Sequence, residues 1–152
     1  MSEFIKTSCT VSIIILMMTL QGCVRMISPT SEAELLRKSV NGGVVTDLEI
    51  DYVQAYANLK QAYKRCVEHS DANGYLSVNS NLDRDNKIGT FVGNLPYGAI
   101  LFKTTLEATG ENSTRITYYA TKLSGLNQKI FYKRVENDRL RALGQDKKCN
   151  KN

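Results

Sequence analysis

Few side chains in this sequence of 152 residues are of a type that does chemistry. Four are cysteines, at Cys9, Cys23, Cys66 and Cys149, and a thiol can take a lipid, a metal or a second thiol. His69 is the one histidine. No nucleophile stands at a spacing that would use it, so it reads as a surface or capping residue at a helix end rather than a base. Asn79, Asn81, Asp83 and Asp85 alternate, as calcium ligands do. A calcium loop also needs a central glycine and a closing acid, and neither is spaced to serve, so the run reads as a hairpin turn. Asn112-Ser113-Thr114 spells a glycosylation acceptor and reads as turn chemistry. Gly89, Gly93 and Gly98 open no helix, so they form no phosphate cradle and mark bulges or bends instead. The tyrosines are the most suggestive set: Tyr52, Tyr56 and Tyr63, then Tyr118, Tyr119 and Tyr132. Buried tyrosines need hydroxyl partners, so these line either a half-polar groove or an ordinary amphipathic core. The expectation is a protein with no catalytic residues, no metal and no cofactor.

Cys23 has the clearest context. Val11 to Leu20 is an apolar run of ten residues. It is too short to cross a bilayer core of roughly 30 Å as a helix, but is the length of a signal-peptide apolar region. Leu20-Gln21-Gly22-Cys23 follows it. This segment resembles the lipobox of bacterial lipoproteins. The resemblance implies that the Cys23 thiol takes a diacylglyceryl group, that Gly22 keeps the chain narrow at the cleavage point, and that Leu20 fills a pocket of the signal peptidase. Cleavage before Cys23 removes residues 1–22, Cys9 among them, and N-acylation often follows. Two or three acyl chains hold a protein durably where one does not. The leading segment departs from the pattern, since Glu3 offsets its single Lys6. Val24 follows the lipidated position where, in enterobacterial lipoproteins, Asp signals inner-membrane retention. For a Gram-negative host this favours the outer membrane, facing the periplasm.

Once exported, the net charge of +5 stays with the mature chain. Nucleic acid is a poor partner there, whereas anionic lipid, lipopolysaccharide or an acidic protein fits, as does plain solubility.

The elements that must position these residues follow from the pattern. Residues 23–42 read as a lipidated tether, in which Ser31 to Lys38 can form a short helix with Ser31 as cap and Glu34 three residues on. Residues 43–152 form a single globular domain. Val44 to Ile50 predicts a strand, and Asp51 caps a helix whose Tyr52, Ala55, Tyr56, Leu59, Ala62, Tyr63 and Cys66 share one face. Four strands follow: 75–82, 87–94 with Ile88 and Val92 on one face, 99–109 and 114–121. A last helix opens at Ser124 or Asn127, runs through Ile130, Phe131 and Val135, and stops at Gly144. The expected fold is α+β: a two-layer sandwich of a four- to five-stranded antiparallel sheet with two helices on one face. By element order alone it resembles a helix-grip arrangement.

With Cys9 removed and Cys23 lipidated, Cys66 and Cys149 are an even pair in an oxidising compartment, so a disulfide is expected between them. Two functions fit this assembly. One is a non-catalytic envelope lipoprotein that binds or scaffolds another envelope component. The alternative is a binder of a small hydrophobic or lipid-like ligand between helices and sheet. Both rest on the anchor. Cys23→Ser should therefore leave the precursor uncleaved or release the protein from membranes. Fractionation of cells tests this, and a processed, membrane-bound Ser variant would remove the anchor.

Overall fold

A computed structural model describes residues 28–71, 74–122 and 128–149. Cys23, Val24, the signal peptide 1–22 and the expected caps Ser124 and Asn127 lie outside the described residues. In chain order the elements are α1 (Glu32–Lys38), β1 (Val44–Leu48), α2 (Tyr52–Cys66), β2 (His69–Asp71), β3 (Gly74–Asp83), β4 (Ile88–Asn94), β5 (Ile100–Gly110), β6 (Ser113–Ala120) and α3 (Gln128–Ala142). The strands make one open antiparallel sheet in the order β1-β6-β5-β4-β3-β2. Among the described residues the fold is thus α+β with six strands and three helices: the sheet has one strand more than the sequence pattern indicates, and the short helix anticipated in the tether joins the two expected ones.

Neither β2 nor α1 is held by its own local pattern alone. β2 is His69-Ser70-Asp71, which has no apolar alternation; backbone pairing with Gly74–Leu76 makes it a strand. α1 has seven residues, too few to hold alone. Its cap is the expected one, with Ser31 Oγ accepting from Glu34 N at 3.2 Å. Tertiary contact supplies the rest. Leu35 is fully buried, and Glu32 meets Lys103 Nζ at 2.5 Å. Within the segment read as tether, Pro29 and α1 thus pack on the sheet.

α2 forms as read. Asp51 accepts from the amides of Val53 and Gln54 at 2.9 and 3.0 Å, and the expected stripe from Tyr52 to Tyr63 is buried. That stripe packs on the sheet face carrying Phe91, Phe102, Thr104, Leu106, Ile116 and Tyr118. Lys103 alternates with Phe102 and Thr104, so α1 lies on the opposite face. Aromatic rings run through the core as a connected series, Tyr56–Phe91–Tyr63–Phe102–Tyr118–Phe131, with centroids 4.9 to 5.7 Å apart.

The core face of β4 is that of Gly89, Phe91 and Gly93, not that of Ile88 and Val92. The two glycines make room for rings: a Cβ on Gly93 would stand 2.3 Å from the Phe102 ring, and one on Gly89 2.9 Å from Tyr56. Gly93 also adjoins a bulge, as Gly93 pairs with Phe102 while Asn94 pairs with Ile100, leaving Leu101 out of register.

Cys66 and Cys149 are joined, with Cα atoms 5.2 Å apart, at the end of α2 and in the tail beyond α3. The bond closes a separation of 83 residues, for which the chain-entropy model gives up to about 4.5 kcal/mol. Cys66→Ala should lower the melting temperature by roughly 10 °C or more in protein from an oxidising compartment. Reductant should then shift the variant little further, as calorimetry with and without dithiothreitol would show.

Candidate functional site

α2 and α3 do not close completely over the sheet. Between them lies a cleft of about 460 Å³. Its walls are Tyr63 and the Cys66–Cys149 bond on one side, Leu76, Leu101, Phe102 and Tyr118 along the sheet, and Arg134, Asp138 and Arg141 from α3. Leu101 reaches this face because the bulge breaks the alternation of β5.

At the back of the cleft three oxygens form a triangle. Tyr63 Oη donates to Asp138 Oδ2 in a very short contact; Thr104 Oγ1 donates to the same oxygen at 2.9 Å; the two hydroxyls are 2.8 Å apart. Two hydroxyl hydrogens cannot fill three edges, so a proton on the carboxyl would complete the set. Burial pushes the Asp138 carboxyl above its ordinary value near 3.8, outweighing the hydrogen bonds and the Arg141 charge that pull it down. Tyr63 is pushed well above 10 by burial and by the Asp138 charge, and burial raises Tyr118 as well. Both phenols therefore stay protonated and are not nucleophiles; Tyr63 serves as a hydrogen-bond donor to Asp138.

Arg141 bridges two acids, with Nη1 to Asp138 Oδ1 at 3.2 Å and Nε to Asp146 Oδ2 at 3.0 Å. Arg65 donates to the Asp146 carbonyl at 2.7 Å, so the same cluster ties the tail to α2. A buried ion pair is weak evidence for stability, but breaking one side of it is costly. Arg134 and Tyr118 both line the cleft, and the Arg134 guanidinium partly offsets the burial that raises the Tyr118 phenol.

The residues singled out in the sequence fall in different places. Cys66 and Cys149 form part of the cleft wall. His69 stands at its margin in β2, exposed, with Nδ1 3.1 Å from the Val67 carbonyl. Asn79 and Asn81 lie in β3, and Asp83 accepts from the Asn86 amide at 2.9 Å as a turn residue does. Tyr63 and Tyr118 reach the cleft, whereas Tyr132 is exposed and accepts from Asn41 Nδ2 at 3.2 Å. Among the described residues no group of three His, Cys, Asp or Glu is placed to hold a metal. No described helix is long and apolar enough to cross a membrane.

Sequence reasoning missed Asp138, Arg141 and Asp146. One signal was present: Asp138 shares the α3 stripe of Phe131, Val135 and Ala142, so a charge stands on a core-facing position. The chain matches no known family model and no curated protein.

The Asp138 carboxyl supports a pH prediction. Its folded value lies above 3.8, so on acidification the fold takes up this proton before the unfolded chain does. The group's contribution to stability should rise as pH falls through the folded value and level off below the unfolded one. Asp138→Asn lacks that term. The stability of the native protein relative to Asp138→Asn should therefore increase from neutrality down to about pH 4, measured by urea unfolding. A flat difference would mean that the carboxyl is not raised.

Proposed function

We propose that this chain is a lipid-anchored, non-catalytic envelope protein whose domain holds a small molecule with an apolar body and an anionic group. The observation that carries the reading is the cleft of about 460 Å³, within the range of small-molecule sites. Its apolar surface comes from Leu76, Leu101, Phe102 and the rings of Tyr63 and Tyr118. Arg65, Arg134 and Arg141 also line it, against the single acid Asp138, so its charge balance suits an anion. The raised phenols offer no reactive oxyanion, which supports binding over turnover.

In this reading the fold is a helix-grip-like sandwich in which α2 and α3 grip a ligand against the sheet, with α1 added behind. The anchor at Cys23 places the domain on a membrane, the outer one by the Val24 argument. Scaffolding of another envelope component is the function the sequence puts first; the cleft is what supports ligand binding ahead of it. Large exposed apolar side chains sit on different elements, at Leu36, Val45, Tyr75, Tyr97 and Tyr132, which supports a scaffold less than a contiguous patch would.

A fluorescent long-chain fatty acid is a suitable probe, having both an apolar body and a carboxylate. Leu101→Trp should fill the cleft margin and weaken the probe's affinity by about tenfold or more while leaving the melting temperature close to native. Equal affinity in the variant would place the probe elsewhere. No binding by the native protein would return the reading to scaffolding.

A further inference from the structure

We propose that the sheet end where the chain enters the fold is a membrane-contact surface, presented to lipid headgroups by Tyr97 and Tyr75. The inference rests on the lipid anchor proposed at Cys23 and specifies how the anchored domain sits.

The first observation is where the chain enters. Pro29 is buried, and its carbonyl accepts from Ile100 N at 2.7 Å. Ile100 begins β5 and pairs with Asn94, the last residue of β4. The N-terminal segment therefore joins the fold at this end of the sheet. Pro29 is six residues from Cys23, and six residues reach at most about 21 Å. Whatever path they take, a lipid on Cys23 holds this end that close to the bilayer.

The second observation is what the same end displays. The β4–β5 connection is Pro96-Tyr97-Gly98, closed by Leu95 N donating to the Ala99 carbonyl at 2.8 Å. Tyr97 is 71% exposed and has φ 63°, ψ 22°. A bulky aromatic residue rarely adopts the left-handed region, and such strain persists only where the surroundings enforce it. Here it accompanies a ring left in solvent. Tyr75, 47% exposed, stands two residues before Ser77, which pairs with Asn94, so it lies at this end too. Tyrosine is the residue type that favours the bilayer interface, with an apolar ring and a hydroxyl that stays wet. Two exposed tyrosines on a short leash from a lipid fit a headgroup layer.

The arrangement has a consequence for the cleft. Leu76 and Leu101 line it and are the immediate neighbours of Tyr75 and Ile100. The cleft thus belongs to the membrane-facing end, and an amphiphile could pass between bilayer and cleft with little exposure to water.

The absence of tryptophan from the chain makes the test direct. Tyr97→Trp creates a single reporter at this end, and Glu111→Trp creates one in the exposed β5–β6 turn at the far end. Full-length lipidated protein is reconstituted in phosphatidylethanolamine and phosphatidylglycerol vesicles whose acyl chains are brominated near the headgroup. Tryptophan at 97 should emit to the blue and lose most of its emission, and tryptophan at 111 should keep its own. If Tyr97→Trp lowers the melting temperature, Tyr75→Trp serves instead. Protein that floats with vesicles and carries lipid on Cys23 by mass, yet shows equal quenching at both positions, overturns the docking while leaving the anchor. Absence of lipid on Cys23 overturns both. Protection of position 97 in intact envelopes but not in protein-free vesicles assigns the surface to a protein and overturns the lipid contact.

Discussion

Asp138 stands where α2, α3 and the centre of the sheet meet, and its carboxyl takes a group from each. Oδ2 receives the hydroxyls of Tyr63 from α2 and Thr104 from β5; Oδ1 receives Arg141 from its own helix. A carboxyl buried this deeply is tolerable only with its lone pairs satisfied. That requirement constrains three elements at once: a slide of α2 by one turn would remove Tyr63, and a one-residue slip of β5 would turn Thr104 to the other face. The position of α3, and therefore the width of the cleft, depends on this contact.

The disulfide extends the same constraint. Arg141 binds Asp146, and Arg65 binds the Asp146 backbone, so the tail beyond α3 is turned back along α2 before Cys149 meets Cys66. Polar network and covalent bond act in series, the first steering the tail and the second retaining it. Between them they wall a space that aromatic packing does not fill. Tyr63, Phe102 and Tyr118 give the core its ring contacts on one side and line the cleft on the other.

The back of the sheet follows a different logic. Thr90, Thr105 and Thr117 stand in register across β4, β5 and β6, alternating with the core residues. Thr105 Oγ1 is buried with no hydrogen-bond partner among the described residues. α1 covers part of this face through Leu35 and the Glu32–Lys103 pair, so the chain before β1 seals the sheet as well as leading into it. Because Pro29 is bound to Ile100, a lipid on Cys23 would act on a defined end of the sheet, the end that carries the cleft and the exposed tyrosines.

Local chemistry was legible in the sequence wherever it depends on neighbours along the chain. Asp51 as a cap, the α2 stripe, the alternation of β5 and β6 and the stop at Gly144 each follow from side chains a few residues apart. The Cys66–Cys149 pairing was legible by elimination, given the lipobox reading of Cys23. β2 and the packing of α1 were not, because a strand without alternation and a seven-residue helix take their stability from surfaces distant in the chain. Nor was the core face of β4, where Ile88 and Val92 outweigh two glycines in any hydropathy pattern; the rings of Tyr56 and Phe102 need the space that only glycine leaves. The sequence by itself determined every element with a periodicity or cap of its own and the two cysteines that pair. Only the tertiary structure decided that Tyr63, Thr104, Asp138 and Arg141 share one buried cluster and leave a cleft beside it. Their separation along the chain spans 34 to 75 residues for the bonds that Asp138 makes to β5 and α2, and no local periodicity encodes a contact at that distance.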